Sequence, residues 1–355
     1  MSEIIGVIMA FVPVILVLLL ANLAERLRGN EQPYGAPALF AYVLLALMYG
    51  LGVMAGLGLH LAGTIAVQQP GLMSEAGGGF GGLGDFESLS LLAVGIWAPS
   101  LLGLILLLPP VRRALGRILP IDTESPVHAV ALSLSMLILV NLMMTLGVGL
   151  DTLTGVLAEG DGLGSSDGAT IAMLWVQQAL MALTAALGVG WLTRRSWAAA
   201  ARRLGVVRPS SQDWIVGIGA GLLLVPVVIL LEYLASLAGI VADPDVEKLT
   251  EQLLGPLFRS PFGILTLGVA AALGEEPLFR GAAQPRFGLA LTAVMFALVH
   301  SNYGITLSTA IVFLLGLVLG LLRIRRNTTT AMLAHAVYNI SLGLLAYFSI
   351  SFLDS

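Results

Sequence analysis

The sequence contains no cysteine, and charged residues make up only 11% of its 355 positions. The missing thiols exclude disulfides, thiolate catalysis and cysteine-ligated metal sites. A soluble domain carries about 25% charged residues, so this shortage of charge, together with 57% apolar residues, excludes an ordinary water-soluble fold. Basic blocks interleaved with aromatic residues are also missing, which argues against a nucleic-acid partner. The composition instead indicates a protein whose main solvent is the lipid bilayer.

Long apolar runs fill most of the chain. Most have about 20 residues, the length that a helix needs to cross about 30 Å of hydrocarbon. Strand-like alternation is absent from most of them, and this favours helices over a β-barrel. We therefore predict an all-α, polytopic transmembrane helical bundle of about ten spans. The spans are expected at residues 4–24, 37–60, 89–109, 128–149, 170–192, 214–240, 261–282, 288–301, 305–322 and 329–352.

Basic residues are distributed unequally between alternate loops. All of them except Lys248 and Arg259 fall in every second loop, whereas the intervening loops at 64–88 and 150–169 contain none. Because basic residues collect on the cytoplasmic side of a membrane protein, we predict that both termini lie outside. The first run follows no basic segment and is interpreted as a retained span rather than a signal peptide. We expect the protein to be integral to a bacterial inner membrane.

The longest basic loop, at 193–213, divides the spans into two groups of five. Residues 1–212 are predicted to form an N-terminal membrane region of unknown role. Residues 213–355 are predicted to form a C-terminal catalytic membrane domain, because the candidates for chemistry lie there.

Ionisable residues inside apolar spans are costly and are candidates for function. In this chain they concentrate in the last third, at the end of the seventh span, the end of the eighth and within the tenth. Two of the four histidines of the chain are among them. The residues singled out are Glu275, Glu276, Arg280, Phe296, His300, His335 and Asn339.

The spacing of these residues predicts how they face one another. Glu276 and Arg280 are four residues apart, so on a helix they share a face and can form an ion pair. Glu275 lies about 100° around the same helix and is free to point elsewhere. His335 and Asn339 also share a face. Three helices would thus aim a carboxylate, two imidazoles and an amide into one polar cavity, an inventory for activating water and holding an oxyanion.

Straight, upright helices would not bring these residues to the same depth in the membrane. Pro277 removes the amide hydrogen that would bond to the carbonyl of Leu273, so a kink is predicted beside the glutamates. Tilt, this kink or a re-entrant eighth segment is expected to close the gap in depth.

The motifs EExxxR, FxxxH and HxxxN occur in this order on successive spans, between residues 275 and 339. In this they resemble the CPBP family of intramembrane proteases, which includes CAAX prenyl proteases, bacteriocin-processing enzymes and the Ras-converting CAAX endopeptidase. The resemblance covers residues 262–350. It implies an intramembrane endopeptidase whose partners are the lipid bilayer and a membrane-associated or lipid-modified peptide or protein substrate.

The resemblance also implies a role for each matching residue. Glu275 would polarise the attacking water with His300 as its partner, while His335 and Asn339 would bind that water or stabilise the oxyanion. Glu276 and Arg280 would fix the helix that carries the catalytic glutamate, Glu275.

The use of a metal is left open by the sequence. Both a glutamate-activated water and a metal-dependent mechanism are described for the family. His300, His335 and a glutamate could ligate zinc or another divalent metal, although the chain has no HExxH motif. No cofactor is therefore assigned.

Two other functions fit parts of the same pattern. A proton-coupled transporter could use a relay of ionisable groups, and a catalytically inactive family member could act as a scaffold or immunity protein. Glu232, an isolated carboxylate in the sixth span, would be a further member of the relay. Gln177 and Gln178 are interpreted as residues that join helices by hydrogen bonds. The relay would comprise Glu232, Glu275, Glu276, His300 and His335.

Overall fold

The computed structural model describes residues 2–68, 86–148, 167–240, 255–300 and 306–353. Helices account for every named element in these ranges, which confirms the all-α helical bundle. The elements are α1 (Ser2–Gly29), α2 (Gly35–Gln68), α3 (Phe86–Ile105), α4 (Pro109–Leu115), α5 (Pro126–Leu134), α6 (Met136–Val148), α7 (Asp167–Gly188), α8 (Trp197–Leu204), α9 (Ser211–Leu237), α10 (Pro261–Glu276), a π-helical segment (Pro277–Ala283), α11 (Gln284–Val299), α12 (Leu307–Arg325) and α13 (Thr328–Leu353).

Eight helical stretches of the described chain are long and apolar enough to cross a membrane, and a ninth results if one bent pair forms a single span. The number differs from the expected ten because the seventh and eighth expected spans lie in one 39-residue stretch, Pro261–Val299. Gly288 interrupts this stretch with a φ of 77°, a value outside the helical region. Eight spans would keep both termini on one side of the membrane and nine would not, so the location of the termini and the direction of the chain stay predictions.

The bent pair consists of α3 and α4, whose axes differ in direction by 88°. The break falls at two consecutive prolines, Pro109 and Pro110, which have no amide hydrogen to continue the helix. Leu108, the residue before them, is extended at φ −74° and ψ 128°, as steric contact with the following proline ring favours. The third span therefore ends at this point.

The helix does not stay a regular α-helix beyond Pro277. Pro277 keeps helical angles of φ −58° and ψ −38°, and the chain continues from it as the π-helical segment, while the predicted kink stays a prediction. At the end of this segment the amide of Gln284 donates to the carbonyl of Phe279, five residues back. The break in helical geometry comes later, at Gly288. Such π-helical turns within helices are frequent at functional sites.

Glycines on α10 allow two neighbouring helices to approach it closely. A Cβ atom at Gly268 would lie 2.8 Å from the carbonyl oxygen of Ala336, so α10 and α13 pack nearly backbone to backbone. A Cβ atom at Gly274 would lie 2.6 Å from the carbonyl oxygen of Gln178, so α7 is equally close on another side. Small residues at such contacts are what permits tight helix packing in membranes. These contacts place the functional residues of α10 between α7 and α13.

Arginines from several predicted inside loops lie together at one end of the bundle. Arg26 donates to the carbonyl of Thr193 at 3.0 Å, which joins the first of these loops to the third. Arg203 lies close enough to Arg286 and Arg323 for mutual electrostatic repulsion. This grouping agrees with the alternate-loop pattern of the sequence. The division of the chain at residue 212 stays a prediction.

Candidate active site

The fold brings five of the six predicted site residues into one network of contacts. Side chains from α10, the π-helical segment, the end of α11 and α13 meet in the C-terminal part of the bundle. Four members are buried, namely Glu275, Glu276, Arg280 and His335. His300 and Asn339 are half-buried. Asn339 is the member outside the network: it lies one turn beyond His335 and makes no side-chain hydrogen bond with the rest of the described chain.

Glu276 binds two partners at once. Its Oε2 lies 3.1 Å from Nε of Arg280, and its Oε1 accepts a hydrogen bond of 2.9 Å from Nδ1 of His335. The side chains of the glutamate and the arginine are 0% and 1% exposed. The ion pair predicted from the spacing is therefore present and fully buried. Because a carboxylate only accepts, Nδ1 of His335 carries a proton, and its Nε2 is left free for other contacts.

Within the described chain, Glu275 has one carboxylate oxygen that accepts a hydrogen bond and one that does not. Its Oε1 accepts from Nε2 of Gln178 at 3.1 Å, while its Oε2 lies 3.4 Å from Nε2 of His300. Nδ1 of His300 donates to the carbonyl of Phe296 at 2.8 Å, so Nε2 is the ring atom that faces the carboxylate. A separation of 3.4 Å is longer than an ordinary hydrogen bond, and Oε2 has no hydrogen-bond partner among the described atoms. This oxygen is thus buried and without a hydrogen bond in the described structure, beside the imidazole of His300.

Phe296 holds the two carboxylate–imidazole pairs together. Its ring centre lies 4.5 Å from that of His300 and 6.0 Å from that of His335. Cζ of Arg280 lies 3.9 Å from the ring centre, a distance at which a cation is attracted to the aromatic face. The phenylalanine of the FxxxH motif is therefore the apolar centre around which the charged groups are arranged, and only 1% of it is exposed.

Gln178 belongs to the site although the sequence analysis did not place it there. It does join helices by a hydrogen bond, as expected, but its partner is Glu275. The residue is buried and comes from α7, in the N-terminal region of the chain. No motif identifies it, and the available signal was only that of an amide inside an apolar span.

Glu232 lies outside the cluster. It is exposed on α9, whereas both glutamates of the site are buried on α10. The relay considered for a transporter therefore lacks one of its five members.

The side chains as arranged do not form a preformed metal site. In the described ranges no group of three His, Asp or Glu residues is placed to hold an ion. Both oxygens of Glu276 are already engaged by Arg280 and His335. The atoms of suitable chemistry without a hydrogen bond in the described chain are divided between two pairs: Oε2 of Glu275 and Nε2 of His300 face each other in one pair, and Nε2 of His335 belongs to the other.

One segment of the chain matches a known protein family. Residues 258–341 match the family model of the Rce1-like type II CAAX prenyl endopeptidases. No curated protein and no solved structure matches the chain. The matched segment is under a quarter of the chain and contains all six predicted site residues, while Gln178 lies outside it. The match confirms the resemblance to CAAX-type proteases for this segment and supports a CAAX-type intramembrane endopeptidase in general.

Proposed function

We propose that this protein is an intramembrane endopeptidase that hydrolyses a peptide bond of a membrane-associated or lipid-modified substrate. One observation carries the proposal. Two consecutive carboxylates on α10 are each paired with an imidazole from a different helix, at 3.4 Å for Glu275 and His300 and at 2.9 Å for Glu276 and His335. Carboxylate–imidazole pairs of this kind are suited to general acid–base catalysis on water.

Glu275 is the base in this proposal. Its Oε2, the oxygen without a hydrogen bond in the described chain, takes a proton from water while the water oxygen attacks the carbonyl carbon of the substrate. The same proton, carried by Glu275 or passed to Nε2 of His300, then goes to the amide nitrogen as the C–N bond breaks. The products are a carboxylic acid and an amine, between which a proton then passes to give a carboxylate and an ammonium group, and the glutamate is again ionised for the next water.

Glu276 is assigned to positioning rather than to proton transfer. Its Oε1 accepts a hydrogen bond from His335, and its Oε2, which like Oε2 of Glu275 has no hydrogen bond among the described atoms, lies in an ion pair 3.1 Å from Nε of Arg280. Accepting a proton from water would weaken one of these two contacts. Its role is to hold Arg280 in place and to orient the ring of His335. The neighbouring carboxylate is thereby left as the chemically active one.

The groups that receive the oxyanion are proposed to lie on α13. The amide of Asn339 has two N–H donors and no hydrogen-bond partner in the described chain, so it can donate to a developing negative charge. His335 presents Nε2, which accepts a hydrogen from water when the ring is neutral and donates to the oxyanion when the ring is protonated. Both groups lie on one face of the same helix.

We further propose that the protein resides in a bacterial inner membrane and that cleavage occurs near the arginine-rich side. The substrate would reach the site from that side or laterally from the bilayer. A peptide or protein substrate that is held at the membrane surface by a short apolar or lipid-modified segment fits such a location.

The test is cleavage of a library of membrane-peptide and CAAX-type substrates by the purified protein. Glu275→Gln keeps the size of the side chain and removes the base, so the cleavage rate should fall by about 10²–10⁴-fold. The matched control is Glu232→Gln, which removes an exposed carboxylate from another apolar helix and should leave the rate unchanged. A chelator added to the wild type decides whether a divalent metal takes part.

Cleavage by Glu275→Gln at the wild-type rate would refute the assignment of the base. Cleavage that the control variant also loses would point to a general effect of charge on folding rather than to chemistry. Binding of a substrate peptide without any cleavage by wild type would favour an inactive scaffold.

A further inference from the structure

An open cleft lies between the π-helical segment, α11 and α12, at the arginine-rich end of the bundle. Its volume is about 280 Å³. Two arginines from different elements, Arg280 and Arg323, line it together with Gln284. Leu289 and Ile324 supply apolar surface to the same cleft, and the second of these is 60% exposed.

The polar atoms of the cleft lack partners. Nη1 and Nη2 of Arg280 are buried and without a hydrogen bond among the described atoms, although the side chain is only 1% exposed. Nε of Arg323 and Oε1 of Gln284 are in the same state, while Nε2 of Gln284 donates to the carbonyl of Gly320 at 2.9 Å. Each unsatisfied buried polar group costs about 1–3 kcal/mol. The site thus offers several donors and one acceptor to a ligand.

The charge around the cleft is not balanced. Within the described ranges no carboxylate forms an ion pair with Arg203, Arg286 or Arg323. The pKa of Arg203, which lies outside the spans, is lowered mainly by burial and also by repulsion from neighbouring arginines. Arg203 also donates to the carbonyl of Gly281 on the π-helical segment, so this cation lies beside the same wall of the cleft. An anion at this place would relieve the repulsion.

The surroundings indicate which anion fits. The cleft lies at the C-terminal end of α12, among the arginines that mark the predicted inner face, which is the depth of lipid phosphates. Its apolar residues, Leu289 and Ile324, offer a surface on which the start of an acyl chain can pack. The orphan acceptor on Gln284 needs a hydroxyl or amine donor, which a phosphate diester alone does not have.

We propose that this cleft binds the headgroup of an anionic phospholipid of the phosphatidylglycerol type. The phosphate accepts from the guanidinium groups of Arg280 and Arg323, and a hydroxyl of the head glycerol donates to Oε1 of Gln284. The lipid then lies one side chain away from Glu276, since Arg280 contacts both. A bound headgroup would therefore hold Arg280 from the side opposite its carboxylate. This inference does not depend on the proposed protease activity.

The test is lipid binding by the purified full-length protein in detergent, read by native mass spectrometry and by the thermal shift on lipid addition. Wild type should bind phosphatidylglycerol about tenfold more tightly than phosphatidylcholine, because choline adds a cation beside the arginines and has no hydroxyl for Oε1 of Gln284. Arg323→Gln should lose this preference, and Arg323→Lys should keep part of it. The matched control is Arg325→Gln, an exposed arginine two residues along α12 that does not line the cleft, and it should bind as wild type does.

A separate arm distinguishes the lipid from free phosphate. Inorganic phosphate alone should raise Tm only slightly. Phosphatidylglycerol added in the presence of phosphate should raise Tm as much as it does without phosphate. The proposal is overturned if wild type binds both lipids equally, if Arg323→Gln retains the preference, or if inorganic phosphate gives the full shift by itself. The comparison of the two lipids on wild type stands even if a variant folds poorly.

Discussion

The buried ion pair beneath the proposed base offers the sharpest test of the structure. Replacing Glu276 by Gln keeps the shape of the side chain but removes the negative charge that faces Arg280. The guanidinium is 1% exposed and has no other carboxylate in ion-pair contact within the described chain. The variant therefore leaves a positive charge buried without its partner.

The magnitude follows from the burial of the two groups. Removing one partner of a buried pair costs about 3–5 kcal/mol, because the remaining charge stays desolvated. The chain contains a natural control in the pair of Arg28 and Asp122, whose side chains are 28% and 44% exposed. Breaking an exposed pair such as this one costs about 0–1 kcal/mol. Asp122→Asn is thus the matched variant, since it also turns a carboxylate into an amide.

The assay is thermal unfolding of both variants in the same detergent. At roughly 2–4 °C per kcal/mol for a large domain, Glu276→Gln should lower Tm by about 6–20 °C, and Asp122→Asn by less than about 4 °C. A double-mutant cycle with Arg280→Met completes the test. Each single variant leaves one unpaired buried charge, and the double variant leaves neither. The double variant should therefore lose less stability than the sum of the losses in the two single variants. Equal, small shifts for both carboxylates, or strict additivity in the cycle, would refute the reasoning.

Three further results are expected. Gly274→Ala should destabilise the protein by about 1–3 kcal/mol in thermal unfolding, because its Cβ would lie 2.1 Å from Oε1 of Gln178; Gly219→Ala, with nothing within 4 Å, should not destabilise it. Gln178→Leu should lower kcat of peptide cleavage by about tenfold or more by removing the charge-assisted donor to the proposed base, and an unchanged kcat would contradict that role. Burial acts to raise the pKa of Asp122, but hydrogen bonds from Arg28 and a backbone amide outweigh it and the pKa is lowered. The ionised carboxylate therefore stabilises the fold fully at a pH above its unfolded pKa of about 3.9. This stabilisation is lost as the pH falls through the lower folded pKa. The difference in Tm between wild type and Asp122→Asn should therefore vanish at a pH below the folded pKa.

The fold class followed from the sequence because the bilayer imposes simple rules. A helix must satisfy its own backbone groups in hydrocarbon, so run length and composition are enough to predict helical spans. The number of spans was harder to predict because it depends on how the chain bends. The double proline at Pro109 turns α3 into α4, while Pro277 continues as a π-helical turn and Gly288 breaks the helix instead. Proline and glycine mark where a helix can change, but neighbouring helices decide which change occurs.

The pairing within the site was predictable only where it is local. Glu276 and Arg280 are four residues apart on one helix, and the ion pair between them is present. The contacts of these glutamates with His300 and His335 join different helices, so the spacing suggested a shared cavity but not which glutamate would face which imidazole. These residues meet although straight helices would place them at different depths, and the chain between Glu276 and His300 contains two irregularities, the π-helical turn and the break at Gly288.

The contribution of the N-terminal spans could not be predicted, because it rests on one amide with no motif around it. Gln178 reaches Glu275 only because Gly274 has no side chain, so that α7 and α10 touch almost backbone to backbone. The amide binds one oxygen of the glutamate and leaves the other oxygen facing His300. A carboxylate fixed in this way keeps one oxygen without a hydrogen bond among the described atoms, as the proposed role of a base requires. The region matched by the family model contains the predicted site residues, yet the proposed base is held by a helix outside that region.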